Sequence, residues 1–197
     1  MSKNSAISPK KESHFPILSP EDSPTPLFSI CKARREDLLD ILEIERVSCP
    51  SPWNFEILNY FIDNSTFIVA TTPAIKSSTS NILPISKNVP AIIGFIIADI
   101  VSENGTQICH IKDLAVSPSW RKNGIGTKLL CSIFEHFSFK ELSYAKLEVR
   151  KNNADAISIY TKFGFSLHHE ISNYYSDGED AIVLTLNFTK FKIHPKM

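Results

Sequence analysis

The chain has 197 residues, with 21 Lys and Arg against 21 Asp and Glu, so its formal net charge is zero. Neutrality argues against a protein that holds nucleic acid through its phosphates and against a disordered polyelectrolyte. An apolar share of 43% suits one domain with its own core, while the longest apolar run, Ala91 to Ala98, is far too short for a membrane span.

In chain order, residues 1–27 are rich in Ser, Pro and Lys and show no apolar period, which predicts a disordered tail. Its Ser8-Pro9, Ser19-Pro20 and Ser23-Pro24 pairs read either as phosphorylation sites or as plain solvated tail. No apolar cluster there exceeds Ile17-Leu18, so no signal peptide is expected. Four separated cysteines (Cys31, Cys49, Cys109, Cys131) fit reduced thiols in a cytoplasmic chain.

Phe28 to Lys32 reads as a short strand. Leu38, Ile41 and Leu42 follow helical spacing, with Glu45 on the same stripe. Ser51-Pro52-Trp53 predicts an N-cap with proline in the first helical turn, opening a helix that carries Ile57, Leu58 and Phe61. Phe67 to Thr71 is a strand. The stretch 73–90, with Ser77 to Asn81 at its centre, reads as an inserted loop before the strand Ala91 to Val101. Asn104-Gly105 then predicts a tight hairpin into Gln107 to Val116.

A loop, Ser117 to Asn123, leads to a helix with Leu130, Ile133, Phe134 and Phe137 on one face. The strand Tyr144 to Arg150 follows, then a helix with Ala156, Ile159, Tyr160 and Phe163 in register. Gly164 stands where a left-handed helix terminator belongs. Strands from Phe165 to Tyr174 and Ala181 to Leu186 flank a turn at Asp177-Gly178. Hairpins at both ends with strand–helix–strand between them predict an α/β chain, a mixed sheet with helices packed on it.

Arg121-Lys122-Asn123-Gly124-Ile125-Gly126 lies between a strand and a helix start. The glycines allow a tight turn and close approach, and free amides at a helix N-terminus suit a phosphate or pyrophosphate. A plain structural turn is the alternative. It is not a Walker loop, and Leu129 stands where the dinucleotide fingerprint needs its third glycine.

Arg121-x-x-Gly124-x-Gly126, preceded by His110 to Val116, resembles the acetyl-coenzyme A loop of the GNAT superfamily of N-acetyltransferases. The element order resembles that family over 28–188. The block from Leu147 through Glu148, Asn153 and Tyr160 to Phe165 is similar to RimI-type enzymes, which acetylate the N-terminal alanine of a ribosomal protein. Asn173-Tyr174-Tyr175 and Asp177 to Ala181 resemble both RimI and the catalytic subunits of protein N-terminal acetyltransferases. The resemblance implies a mixed, mostly antiparallel sheet of about seven strands with a splayed central parallel pair and about four helices. It also implies a domain over 28–188 between the tail and a basic end at 189–197.

For the site, the resemblance implies that the backbone of Leu114, Ala115 and Val116 pairs with the pantetheine arm of acetyl-coenzyme A. The pyrophosphate would rest on Arg121, Lys122, Asn123, Gly124, Ile125, Gly126 and Thr127. Asn153 would touch the coenzyme, although its position equally suits a helix cap. Glu148 would be the general base, where alternation alone reads as a charged strand face. Tyr160 would protonate the departing thiolate, where helical spacing alone reads as core. Glu45, Tyr174 and Tyr175 are expected at the acceptor end, with at most one tyrosine facing the acceptor if both lie on a regular strand. His110 reads as an aid to the base or as a sheet histidine. His168-His169 has no partner at metal-ligand spacing, so no metal is assigned.

The acceptor expected is a protein or peptide N-terminus, such as that of a ribosomal protein, with an auxiliary subunit if the chain follows the eukaryotic type. A lysine or small-amine acetyltransferase and a non-catalytic coenzyme A-binding module are the alternatives. Residues 28–72 and 91–188 carry 18 acids against 13 bases, which suggests an acidic field for a cationic acceptor.

Overall fold

The computed structural model describes residues 28–73, 90–138 and 140–188. The tail at 1–27, the end at 189–197 and nearly all of the insert at 73–90 lie outside them. Strand β1 (Ser29–Lys32) begins one residue after the expected Phe28. Helix α1 (Leu38–Ser48) buries Leu38, Ile41, Ile44 and Glu45 along one stripe.

Helix α2 (Phe55–Asn64) corrects the expected cap. Asn54, not Ser51, is the N-cap, and its side-chain oxygen accepts the Ile57 amide at 3.0 Å. Asparagine caps as well as serine, and the Ser51 hydroxyl is engaged elsewhere. The later start turns Leu58 and Ile62 inward and leaves Ile57 exposed. Phe61 keeps part of its burial by stacking on Trp53, with centroids 5.0 Å apart.

Strands β2 (Thr66–Thr71), β3 (Ile92–Glu103) and β4 (Thr106–Val116) follow. Asn104 (φ 52°) and Gly105 (φ 77°) form the predicted hairpin turn, whose two central residues both need positive φ. Helix α3 (Ile125–Phe137), strand β5 (Tyr144–Arg150) and helix α4 (Ala154–Lys162) come next. Gly164, at φ 96°, ends α4 as expected. The chain then forms β6 (Ser166–Ile171) and β7 (Ala181–Asn187). Strand β6 stops three residues short of Tyr174, because Asn173 takes a positive φ of 52° and the chain turns away from the ladder.

The seven strands run in the order β1-β2-β3-β4-β5-β7-β6. Every neighbouring pair is antiparallel except β4 and β5. That parallel pair holds only two rungs, Cys109 with Ala145 and His110 with Lys146, and then splays. The register of β3 and β4 also slips there: Ile97 faces Asp113 while Ala98 faces Ile111, so Lys112 is an extra residue.

A bulge of this kind reverses which face later residues address. Before it, Cys109 and Ile111 pack into the core beneath α3 and α4; after it, Ala115 packs with α1 and α2. Helices thus cover both faces of the sheet, α1 and α2 on one and α3 and α4 on the other. No helix among the described residues is long and apolar enough to cross a membrane.

Burial divides the residues of α1 sharply: Ile41 is 0% exposed and Leu39 70%. Ile41→Ala is expected to cost about 2–5 kcal/mol. Leu39→Ala should stay within about 0.5 kcal/mol of the parent. Denaturant midpoints at constant slope check both values.

Candidate active site

The splay leaves the β5 side of β4 without a neighbouring strand beyond His110, so Leu114, Ala115 and Val116 border a gap in the ladder. Unpaired strand edges accept an extended, amide-bearing partner. Gly94 lies opposite Val116 on β3, and a Cβ there would come within 3.0 Å of the Ala115 carbonyl, so the two strands need glycine to approach this closely. Arg121 Nε donates to the Val116 carbonyl at 3.1 Å, tying the loop to the strand end.

Gly124 caps α3 at φ 76°, a left-handed conformation that glycine adopts without strain, and no side chain caps the helix. The Lys128 amide makes the first helical bond, to the Gly124 carbonyl at 3.0 Å. The amides of Ile125, Gly126 and Thr127 precede that bond and carry the positive end of the helix. Lys122 also has positive φ, 64°, and its ammonium pairs with Asp155 at 2.5 Å. Asn123 ties the loop with side-chain bonds to the Trp120 and Arg121 carbonyls. Asn153 caps α4, accepting the Ala156 amide at 3.2 Å. An unpaired strand edge beside a bare helix N-terminus fits the amide-bearing arm and the pyrophosphate of coenzyme A.

Leu147 and Val149 of β5 point into the core under α3 and α4, so alternation turns Glu148 to the opposite face. There its Oε2 lies 2.7 Å from His110 Nε2, and the carboxylate is only 14% exposed. Lys112 Nζ meets His110 Nδ1 at 2.8 Å. An ammonium can only donate, so Nδ1 accepts and Nε2 carries the hydrogen given to Glu148. Lys146 sits 3.9 Å from the other Glu148 oxygen and is itself held by Glu103 at 2.8 Å. Burial pushes the Glu148 carboxyl up, but the His110 hydrogen bond and the fields of His110, Lys146 and Lys112 together leave it below its ordinary value. It stands ionised at neutral pH.

Tyr160 rises from α4 on the other side of the sheet. Burial pushes its phenol well above the ordinary value, and the nearby Asp113, Tyr175 and Cys49 push the same way. It therefore stays protonated and can serve as a hydrogen-bond donor.

Tyr174 and Tyr175 lie in the loop between β6 and β7, so the strand expected to reach Tyr174 stops short of it, and their rings pack edge to face at 5.0 Å. Tyr174 is 48% exposed, whereas Tyr175 is half-buried under the Arg150 guanidinium, 3.9 Å from its ring centre. Burial pushes the Tyr175 phenol up to about 12. Glu45 is buried beneath the loop between α1 and α2: Oε1 accepts the Trp53 amide at 3.0 Å and Oε2 the Cys49 thiol at 3.1 Å.

Several residues of this face escaped the sequence. Arg150 bonds Asp177 and Glu179 at 2.8 and 2.7 Å and reaches Ser51 Oγ at 3.0 Å. Ser176 Oγ meets the same Ser51 hydroxyl at 3.2 Å, so the two loops touch across the face. Lys151 takes Glu170 at 2.6 Å and Asp180 at 3.7 Å. Asp177, Glu179, Glu170 and Asp180, four of the acids behind the expected acidic field, are thus paired with Arg150 or Lys151. Asp113, Cys49 and Lys112 also escaped, since only the bulge and the helix approach bring them here. His168 and His169 lie exposed on β6, Nδ1 to Nδ1 at 2.6 Å.

An open strand edge beside a bare helix N-terminus, with an ionised carboxylate and a protonated phenol on the neighbouring strand and helix, is the arrangement of an acetyl-coenzyme A-dependent N-acetyltransferase. The sequence model described as the acetyltransferase (GNAT) family matches residues 38–165, and the chain belongs to that family. It is 30% identical over 171 residues to an N-alpha-acetyltransferase of Sulfurisphaera tokodaii, spanning 80% of this chain and 91% of that protein. It is 34% identical over 95 residues to the ribosomal protein bS18 alanine N-acetyltransferase of Escherichia coli, spanning 47% of this chain and 62% of that one. A chain of the NatC complex bound to Gag peptide and CoA shares its fold, with a TM-score of 0.68 at 21% identity, covering 81% of this chain and 98% of that one.

His110 holds Glu148 down, so His110→Ala should raise the Glu148 carboxyl. The stabilisation from this contact is present above the ordinary value of 4.5 and is lost as pH falls through the lowered folded value. Carbon NMR titration of glutamate-labelled protein, assigned with Glu148→Gln, checks the direction.

Proposed function

We propose that residues 28–188 form a cytoplasmic protein N-terminal acetyltransferase, which moves acetyl from coenzyme A to the α-amine of a protein by direct attack. The observation that carries this reading is the ionised Glu148, hydrogen-bonded to His110 on the open face beside the unpaired stretch of β4. Leu114 to Val116 and the amides from Lys122 to Thr127 would hold the coenzyme, with Arg121 bracing the loop and Asn153 at its margin. When bound, the coenzyme supplies an activated acetyl group as a thioester.

Glu148 draws the nitrogen and takes the proton released as the nitrogen–carbon bond forms and the carbon–sulfur bond breaks. His110, held by Lys112, keeps that carboxylate ionised and aimed. Tyr160 donates to the departing sulfur. Its raised phenol is a weaker acid than a free thiol of pKa about 8.5, so full transfer runs uphill and the hydroxyl serves first as a hydrogen-bond donor. Cys49 plays no nucleophilic part: burial and the nearby Asp113 and Glu45 push its thiol up, and a thiol attacks only as thiolate.

Acid–base magnitudes support an α-amine. A free α-amine has a pKa of about 7.7–8.0 and lysine about 10.4, so a lysine acceptor costs roughly 3–4 kcal/mol more to deprotonate near neutrality. Glu148, held low, is too weak a base to make up that difference. Tyr174 and Tyr175 would line the acceptor's backbone, and Glu45 would act on it through the loop it holds.

The RimI-like block from Leu147 to Phe165 and the Escherichia coli relative's name support a ribosomal protein beginning with alanine or serine. A broader N-terminal acetyltransferase working with an auxiliary subunit has its own support. Val47, Phe55, Ile57 and Tyr60 stand exposed on α1 and α2, an apolar surface of the kind partner chains cover.

Thiol release from acetyl-coenzyme A with N-terminal peptide libraries, read by mass spectrometry, tests the function. Free N-termini should react and blocked ones should not. Glu148→Gln should lower kcat/KM about 10²–10⁴-fold and Tyr160→Phe about 10²-fold, with coenzyme affinity little changed. Faster reaction of blocked, lysine-bearing peptides would overturn the acceptor assignment.

A further inference from the structure

Glu45 and Asp113 bring two carboxyls together at the inner wall of this face. Their oxygens and the Cys49 sulfur all lie within 4.8 Å of one another. The bulge at Lys112 turns Asp113 to the α1 side of the sheet, the same side as Ala115. Asp113 Oδ2 is sealed from solvent, and no donor with a hydrogen of its own reaches it. Its neighbour is the Glu45 carboxyl, one oxygen of which lies within 4.8 Å of an Asp113 oxygen.

Two buried carboxylates this close repel, whereas a carboxyl can donate to a carboxylate, so the pair is favoured to hold one proton. The donors around the pair decide where that proton sits. Glu45 accepts the Trp53 amide on one oxygen and the Cys49 thiol on the other, which stabilises its charge. Asp113 Oδ2 has no such donor and therefore carries the hydrogen.

We propose that Asp113 is a positioning residue for the acceptor: its protonated carboxyl donates to Glu45, and Glu45, so held, pins the loop between α1 and α2. This rests on the reading of that face as the acceptor site. The pin reaches both ends of the loop, through Cys49 at its start and Trp53 near its close. Between them, Ser51 takes hydrogen bonds from Arg150 and Ser176, so the loop's position also sets the gap to the loop between β6 and β7.

Among the described residues, the other groups facing the pair do not supply a competing cation. From β5, Arg150 is taken by Asp177, Glu179 and Ser51. From α4 and the β6–β7 loop, Tyr160 and Tyr175 are neutral phenols, raised by burial. From the end of α1, Cys49 is a neutral thiol. Burial, and next the Glu45 charge and hydrogen bond, push Asp113 well above the ordinary carboxylate range, in agreement with the geometry. As pH climbs through that raised value the second carboxylate forms, the two repel, and the loop loosens.

Infrared spectra of aspartate-labelled protein and acceptor kinetics test the proposal together. A protonated aspartate band should persist at pH 7 and vanish in Asp113→Asn. Asp113→Ala should raise acceptor KM about 10-fold or more, with kcat and coenzyme affinity nearly unchanged. Asp113→Asn, whose amide still donates to Glu45 but cannot ionise, should rescue KM and remove its rise at alkaline pH. If Asp113→Ala does not fold, the pH dependence of KM in Asp113→Asn against wild type decides. A missing band at pH 7, or an Asp113→Asn KM as high as that of Asp113→Ala, overturns the proposal. A wild type that acetylates no N-terminal peptide removes the acceptor reading and the positioning role together, while the band still decides whether the carboxyls share a proton.

Discussion

Two rungs of parallel pairing, and then none, are the constraint on which the rest of this molecule depends. Strands β4 and β5 meet at Cys109 and His110 and then part. An unpaired strand interior is costly unless something satisfies its amides and carbonyls. The chain accepts that cost at the centre of its sheet, where helices protect both faces. The gap is held open from both sides: β5 runs on in full register with β7, and β4 stays bound to β3 out to Val116. Neither strand can close the gap without breaking pairing on its far edge.

The same gap organises the chemistry. Parallel strands that share a rung and then diverge bring His110 and Glu148 together on one face, just where the separation begins. The phenol of Tyr160 approaches from the helix layer on the opposite face. An ionised carboxylate and a protonated phenol thus come from opposite sides of the sheet. Charge follows the geometry: Lys112, His110, Glu148, Lys146 and Glu103 form a string along this face, in which each carboxylate has a basic neighbour. The loop before α3 is built differently, from backbone amides and a helix N-terminus, which suit diffuse phosphate charge.

Features with local causes were legible in the sequence. The Asn104-Gly105 turn, the Gly164 terminator, the glycine loop before α3 and the apolar stripes of α1 and α3 each depend on residues a few positions apart. The motif from Leu147 to Phe165 pointed to Glu148 and Tyr160 through family resemblance, where alternation alone read a charged face and a core tyrosine. What escaped was non-local. Ser51-Pro52 had the chemistry of a helix cap, but Arg150, 99 residues away, holds that hydroxyl, and Asn54 caps instead. The run from Phe165 to Tyr174 read as one strand until the turn at Asn173 freed both tyrosines. Asp113 was invisible as a site residue because strict alternation puts it on the side of Ile111; the extra residue at Lys112 reverses that. Formal charge likewise carried no information on pairing: the acids of the β6–β7 loop lie against Arg150 and Lys151.

In the proposed function the coenzyme completes the broken ladder. Amide hydrogen exchange with and without acetyl-coenzyme A tests it residue by residue. Leu114 to Val116 and Ile125 to Thr127 should gain protection together on binding, with little change along the β3 partners, which are already paired. Protection confined to the acceptor loops, or none at Leu114 to Val116 under saturating coenzyme, would contradict the account.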